Sequence, residues 1–430
     1  MPQFRSAQCR SGPAGRVSLA ITAVALMLAI CSCSAAGDRA AAPAPAASGR
    51  SARPADAVAR GTVASGGPVW ISQLQMTSVA TGWALLWTGN PDAKAPMQLG
   101  RTTDGGRTWQ VVTPTATPPL ATADLVLSAA TADRAWLAVA ISKSAGGGSG
   151  GTTRVYRTGN GGRTWRRSQP LPGSELVALG LSGRSRGWLL ESLGEAMNEN
   201  PVKLYQTSDG GSHWSPLAKS PGVPGPPRTS QLTATCDKTG LRFVSASLGW
   251  ITAYCPVGTL VLASSDGGAR WAPVSLPVSA QACQQAGCEI PAPEIAGGSV
   301  FLVVGAYPAS ASVLVSTDRG RTWRAGPMPA GAGPYPRVRF FTAHDGIAVS
   351  AWSQGRIGRD FFITTNGGLS WSAVRQGRRF GGNWDDFDFV SLRAGFGWTY
   401  PGGETATALP RLFRTSDSGR SWTSFVPRLS

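Results

Sequence analysis

A carboxylate beside a hydroxyl group and an indole ring could support acid–base chemistry, and this sequence contains that combination repeatedly. The eight-residue segment T-T-D-G-G-R-T-W ends at Trp109, and six related segments follow along the chain. Aspartate occupies the third position in five copies and asparagine in two. Because an amide can accept the same hydrogen bonds but cannot replace a catalytic carboxylate, the repetition predicts structural turns rather than repeated catalytic sites. The third positions are Asp104, Asn160, Asp209, Asp266, Asp318, Asn366 and Asp417, and the tryptophans are Trp109, Trp165, Trp214, Trp271, Trp323, Trp371 and Trp422.

These segments, which we call boxes, have the composition of tight turns between two strands. The aspartate of a box can accept hydrogen bonds from N–H groups of its own turn. Glycines such as Gly106 and Gly211 can supply the positive φ that such a turn needs. The tryptophan is predicted to begin the next strand and to pack against a neighbouring strand or repeat. A box therefore positions the backbone and not a substrate.

The elements that carry the boxes repeat as well. Box tryptophans recur roughly every 50 residues, a period typical of propeller blades. Ahead of four boxes, a Gly-Trp pair begins a hydrophobic strand at Trp83, Trp188, Trp250 and Trp398. Each repeat therefore predicts strand A, a tight turn, strand B, a variable loop, strand C, the box and strand D. We predict an all-β fold, a seven-bladed β-propeller of four-stranded antiparallel blades over residues 67–428, and leave open how the ring closes.

The boxes and the Gly-Trp strands together resemble the Asp-box, or BNR, repeat of β-propellers. The combination is similar to the photosystem II stability/assembly factor type, and sialidases, xyloglucan-degrading hydrolases and sortilin-like receptors are more distant relatives. For the assembly-factor type, the resemblance implies a scaffold for a membrane complex. It is specific for the fold and weak for function, because one fold carries many functions.

The N-terminal segment precedes the predicted propeller. The segment contains arginines, then the apolar stretch Val17–Ile30, then two cysteines, an order that resembles a bacterial lipoprotein signal. The alternative is an ordinary secretory signal peptide. We predict residues 1–33 as the signal peptide and Cys33 as the lipidated residue, with Cys31 as the other choice. Residues 34–66 are rich in Ala, Pro and Ser and predict a disordered tether. The protein is expected to be exported and lipid-anchored to the outer face of the cytoplasmic membrane.

Composition narrows the class of partner. The chain has 430 residues, a hydrophobic fraction of 42% and a formal net charge of +17. Its basic residues do not form runs with interleaved aromatic residues, so we predict no nucleic-acid partner. A cationic surface suits an anionic envelope or an acidic partner.

Four cysteines fall within the predicted propeller. In an exported domain they predict two disulfides. Two of them fall at the same end of predicted strands and the other two fall in one connection, but the sequence leaves the pairing open. Neither histidine has ligand spacing to a cysteine, so we predict no metal and no other cofactor. The cysteines are Cys236, Cys255, Cys283 and Cys288.

Strand alternation divides the predicted connections between two ends of the propeller. The A–B turns and the boxes emerge at one end, the box face, and the B–C and D–A loops emerge at the other, the loop face. Long variable loops favour binding, so the loop face is the predicted binding surface. A candidate patch there suits a carboxylate or an acidic peptide, with solvated surface arginines as the alternative. The patch comprises Arg356, Arg359, Arg375, Arg378, Arg379 and Trp384.

The sequence contains no clear arrangement of a nucleophile and its base. The early Arg-Ile-Pro-like motif that a sialidase resemblance would require is missing from the first repeat. Two carboxylates, Asp360 with Asp385 or Asp386, could serve a hydrolase, but nothing specific demands it. We therefore predict no catalytic residue and a non-enzymatic lipid-anchored scaffold that binds a protein partner through its loop face. The alternative is a carbohydrate-binding or sialidase-like glycoside hydrolase propeller, with a glycan as partner.

Overall fold

The computed structural model describes most of the predicted propeller, and all described residues belong to one compact unit, Asp56–Ser430. Residues 1–65, with the predicted signal peptide, its two cysteines and most of the tether, lie outside the described residues. Within the described part, no helix has the length and apolarity needed to cross a membrane. The described residues are 66–88, 96–142, 151–173, 175–194, 199–221, 232–256, 258–277, 287–306, 311–350, 352–353, 356–357, 360–376, 386–398 and 409–430.

The described chain is almost entirely strand and turn, as predicted, with two short 3-10 turns at Leu120–Thr122 and Ala330–Ala332. Its strands fall into successive antiparallel groups of four, which we call repeats and number in chain order. Repeat 1 contains β1 (Trp70–Met76), β2 (Gly82–Trp87), β3 (Met97–Thr102) and β4 (Thr108–Val111). Repeat 2 contains β5 (Asp124–Ala129), β6 (Ala135–Ser142), β7 (Gly151–Thr158) and β8 (Arg166–Arg167), with β9 (Leu171–Pro172) paired to β7. Repeat 3 contains β10 (Glu175–Ser182), β11 (Arg186–Ser192), β12 (Val202–Thr207) and β13 (Ser215–Lys219).

The remaining strands continue the same order. Repeat 4 contains β14 (Asp237–Phe243), β15 (Gly249–Cys255), β16 (Val261–Ser264) and β17 (Ala272–Pro273), and is followed by β18 (Cys288–Glu289). Repeat 5 contains β19 (Glu294–Ala296), β20 (Ser299–Ala306), β21 (Ser312–Ser316) and β22 (Arg324–Pro327). Repeat 6 contains β23 (Arg337–Phe340), β24 (Gly346–Val349), β27 (Phe361–Thr364) and β28 (Ser372–Ala373), with a hairpin of β25 (Trp352–Ser353) and β26 (Arg356–Ile357) between its second and third strands. Repeat 7 contains β29 (Asp386–Phe389), β30 (Gly395–Trp398), β31 (Leu412–Thr415) and β32 (Thr423–Phe425), and β33 (Arg428–Leu429) ends the chain.

This arrangement is a β-propeller of four-stranded antiparallel sheets, as the sequence predicts. The first strands of several consecutive repeats contact one another, which makes them the inner strands. Second strands are covered on both faces by neighbouring repeats, and the strand G-W-A-L-L-W of repeat 1 is buried at every position. Because β18 joins repeats 4 and 5 into one nine-stranded sheet, the count of seven separate blades stays a prediction.

The two ends of the described chain meet at repeat 1. β33 pairs in parallel with β4, and the N–H of Val69 donates to the carbonyl oxygen of Pro427 at 3.0 Å. Side chains of repeat 7, including Trp398 and Leu412, share one core with Ile71 and Trp109 of repeat 1. These contacts hold the last repeat against the first, which the sequence left open.

Aromatic side chains of the boxes pack across the boundaries between repeats. Trp165 of the second box lies edge-on against Trp83 of repeat 1, with ring centroids 6.2 Å apart. Trp136 and Trp214 repeat this geometry between repeats 2 and 3. A glycine of each box makes room for such contacts. At Gly106, where φ is +85°, a Cβ atom would lie 2.3 Å from Cδ2 of Leu412 in repeat 7.

Candidate functional site

The boxes use their carboxylates to close their own turns. Asp104 accepts hydrogen bonds from the Thr108 N–H at 3.0 Å, from the Thr108 hydroxyl at 2.7 Å and from the Thr102 hydroxyl at 2.9 Å. The N–H of Gly106 donates to the Thr102 hydroxyl at 2.9 Å. Burial raises the pKa of Asp209, but hydrogen bonds from His213, Thr207 and the turn backbone outweigh it and lower the pKa to about 2. A carboxylate held ionised in this way lacks the proton of a general acid.

Asparagine fills the same role in two boxes. The amide oxygen of Asn160 accepts the Thr164 N–H at 3.0 Å, and its amide nitrogen donates to the Thr164 hydroxyl at 2.9 Å. Asn366 makes the equivalent pair of contacts with Ser370. The box geometry therefore requires a hydrogen-bonding side chain and not a charge.

The predicted arginine patch lies largely outside the described residues. Arg359, Arg378, Arg379 and Trp384 are among the undescribed positions, and Arg356 is described only by its backbone in β26. Arg375 is exposed. The assembly of the patch stays a prediction.

A network of charges along the inner strands was not predicted. Arg337 pairs with Asp386 at 2.9 Å, and Arg339 pairs with Glu294 through bonds of 3.2 and 3.3 Å. These pairs link repeats 6 and 7 and repeats 5 and 6. Burial raises the pKa of Asp388 to about 6, although the N–H of Met76 and the charge of Arg339 oppose that rise.

Further polar contacts join other neighbouring inner strands. Asp388 of repeat 7 accepts the backbone N–H of Met76 in repeat 1, and Asp124 of repeat 2 accepts the N–H of Leu176 in repeat 3 at 2.6 Å. The Gln75 side chain donates to the carbonyl oxygen of Leu127 at 2.7 Å. The inner acids are thus engaged in holding the ring together, and a buried carboxylate needs such partners.

The described cysteines of the propeller lie in repeat 4 or in the connections on either side of it. Cys236 and Cys255 form a disulfide, one of the pairings that the sequence left open. Cys288 is also disulfide-bonded, and Cys283 lies outside the described residues. Beside the first disulfide, the buried ammonium group of Lys238 donates to the carbonyl oxygens of Cys236, Thr235 and Asn200 at 2.9, 2.8 and 3.0 Å. Among the described residues, no group of three His, Cys, Asp or Glu side chains could hold a metal ion.

One buried acid has no such role. Glu191 on β11 is fully buried, and neither of its carboxylate oxygens has a hydrogen-bond partner among the described residues. Burial raises its pKa to about 7, and two nearby groups counter that rise only in part: the Thr153 hydroxyl, which lies outside hydrogen-bond geometry, and the Lys203 ammonium. The Lys203 ammonium lies over the ring of Tyr205, 4.4 Å from its centroid. An orphaned acid of this kind can take up a proton near neutral pH.

The described part of the loop face also exposes large apolar side chains. Ile141 lies near the end of β6, and Leu193 follows β11. Tyr335 precedes β23 and Leu409 precedes β31. Their exposed fractions are 37%, 37%, 38% and 56% in that order. Apolar groups in solvent at one end of a molecule are available to a partner.

No protein-family model matches the chain, and no curated protein does. Among solved structures, "YCF48 bound to D1 peptide" is 14% identical, covers 86% of this chain and 97% of its own, and has a TM-score of 0.47. The GH74 xyloglucanase from Xanthomonas campestris is 17% identical over 85% of this chain, with a TM-score of 0.53. Prolyl oligopeptidase B from Galerina marginata is 8% identical over 85% of this chain, with a TM-score of 0.53.

The chain spans about half the length of the last two proteins, 55% of the xyloglucanase and 51% of the oligopeptidase. At such identities the similarity concerns the fold and leaves function to the residues of the site. The chain shares the β-propeller fold with the xyloglucanase.

Proposed function

We propose that this protein is a non-enzymatic binding propeller that recognises a protein partner through its loop face. The observation that carries this proposal is the group of exposed apolar side chains at that end, Ile141, Leu193, Tyr335 and Leu409. Protein interfaces are built around apolar and aromatic groups with arginine nearby. Arg337, close in sequence to Tyr335, has a side chain that is 56% exposed.

The ionisable groups support binding over catalysis. The box acids bind their own turns, and the inner acids Asp386, Asp388 and Glu294 bind arginine or backbone N–H groups of neighbouring repeats. A glycosidase needs an acid and a second carboxylate directed at one substrate bond. Carboxylates committed to the ring are poorly placed for that task.

We further propose that the protein is exported and anchored through a lipid on Cys33. The apolar segment Val17–Ile30 and the cysteine that follows it support export. The disulfide between Cys236 and Cys255 also supports it, because disulfides persist in oxidising compartments. In this setting the protein would act as a scaffold that binds other envelope proteins through its loop face.

The test is chemical crosslinking and co-purification of the anchored protein from its native membranes. Leu193→Ser with Leu409→Ser removes two exposed apolar groups of the loop face. The matched control, Val79→Ser with Val244→Ser, removes two groups of similar exposure from the box face. We expect a reproducible protein partner that the loop-face variant loses and the control keeps. Retention on cell-wall glycan without any protein partner would overturn the proposal in favour of carbohydrate binding.

A further inference from the structure

The box face carries more arginines than aspartates. The seven segments that run from one residue before each box to two residues after its tryptophan hold twelve arginines and five aspartates. They therefore contribute +7 to the formal net charge of +17. Two more arginines, Arg184 and Arg186, lie exposed at the turn between β10 and β11 on the same face.

The exposed guanidinium groups project from turns of several repeats. Arg163, Arg270, Arg319 and Arg321 are exposed, and none of them forms an ion pair with another described residue. The acids of the same turns accept hydrogen bonds from N–H and hydroxyl groups of their own turns. In the fifth box, for example, Asp318 binds its own Ser316 and Thr322. Because arginines outnumber aspartates in these segments, the face keeps a net positive charge.

Apolar side chains project from the same face. Val79 and Val244 lie in turns between first and second strands, with exposed fractions of 43% and 38%. Leu369 is 40% exposed and takes the box position that arginine holds in Arg107, Arg163, Arg321 and Arg420. Apolar groups beside cations on one face can contact the headgroup boundary of a membrane while the cations attract its anionic lipids.

We propose that the box face docks on an anionic phospholipid bilayer. A bilayer fits better than a peptide because the charges and the apolar groups are distributed over turns of many repeats, and a bilayer offers an equally broad and diffuse negative surface. This proposal goes beyond the proposed function and is independent of it. It would place the loop face on the side away from the membrane, since the two faces lie at opposite ends of the strands.

The first test measures co-sedimentation of the full chain with vesicles of phosphatidylglycerol and phosphatidylcholine, and with vesicles of phosphatidylcholine alone. Arg163→Ala with Arg321→Ala is compared with Arg375→Ala with Arg411→Ala, which removes two exposed arginines outside the box face. The N-terminal segment is common to all variants, so the difference between them isolates the box face. Each arginine near an anionic surface strengthens binding about fivefold, so we expect about a 25-fold loss for the first variant on anionic vesicles. The control is expected to change less than twofold.

A second pair of variants separates a lipid surface from an acidic protein. Arg163→Lys with Arg321→Lys keeps the charge but loses the planar fork that pairs with a carboxylate in two bonds. We expect this variant to bind anionic vesicles like the wild type, with binding that weakens as salt is raised. Equal losses for the box-face variant and its control would overturn the proposal. Retention on immobilised polyglutamate without binding to anionic vesicles would overturn it as well, and melting temperatures verify that every variant is folded.

Discussion

The orphaned carboxylate of Glu191 gives a stability prediction that can be worked through from the structure. Its pKa in the folded protein is about 7, against an ordinary value of 4.5. The folded state therefore binds a proton more tightly than the unfolded state between these pH values. The contribution of Glu191 to stability is fully present below pH 4.5 and is lost as the pH rises through 7, because the buried group must then lose its proton. The difference of about 2.5 pH units corresponds to about 3 kcal/mol of unfolding free energy.

Glu191→Gln tests this reasoning because glutamine has nearly the same volume and no charge. The variant is expected to match the wild type near pH 4.5 and to be more stable by up to about 3 kcal/mol at pH 8. The measurement is the free energy of unfolding in urea at several pH values between 4.5 and 8, with the disulfides intact. Glu175→Gln is the control, since Glu175 belongs to the adjacent strand β10 and is only partly buried. If Glu191→Gln gave the same difference from the wild type at every pH, Glu191 would not titrate in the folded protein and the argument would fail.

Three further changes probe the fold. Asp104→Ala is expected to lower the free energy of unfolding by about 1–3 kcal/mol. Asp104→Asn is expected to lower it by less, since asparagine already serves two boxes. Urea unfolding of both variants measures the difference. Gly106→Ala is expected to melt well below Gly183→Ala, because both positions have positive φ but only the former has no room for a Cβ atom. Replacing both Cys236 and Cys255 with serine is expected to cost about 2–4 kcal/mol, and an unchanged urea midpoint would contradict a stabilising role for that disulfide.

Much of the fold could be predicted because the box is a local signal. Its hydroxyl, carboxylate and glycines lie within eight residues, so the hydrogen bonds of Asp104 can be anticipated without knowing any distant neighbour. The strand order places Cys236 and Cys255 at the same end of the propeller, which makes their disulfide reasonable, although the sequence alone leaves the pairing open. Such predictions require only the spacing of the repeats along the sequence and the hydrogen-bonding chemistry of one turn.

The inner polar network could not be predicted for the opposite reason. Asp388 binds the N–H of Met76 across 312 positions of sequence, and no local pattern names that partner. Glu191 was missed because a charged residue near the end of a strand usually lies in solvent. Here the neighbouring repeat covers it, with Thr153 on one side and Gly173 against its carboxylate. Only the packing of the repeats shows which polar groups have hydrogen-bond or ion-pair partners and which have none.

Polar groups that have partners within the fold contribute to folding, whereas exposed groups without such partners are free to contribute to binding. An exposed arginine such as Arg163 has no ion-pair partner among the described residues, so its removal leaves the free energy of unfolding nearly unchanged. Removal of Asp104 destabilises the turn but leaves exposed guanidinium groups such as that of Arg163 in solvent. The two kinds of variant should therefore affect different measurements, vesicle binding in the first case and unfolding in the second. A loss of vesicle binding that followed melting temperature across both kinds would mean that intact turns are what the vesicle assay detects, and the surplus arginines would then have no binding role.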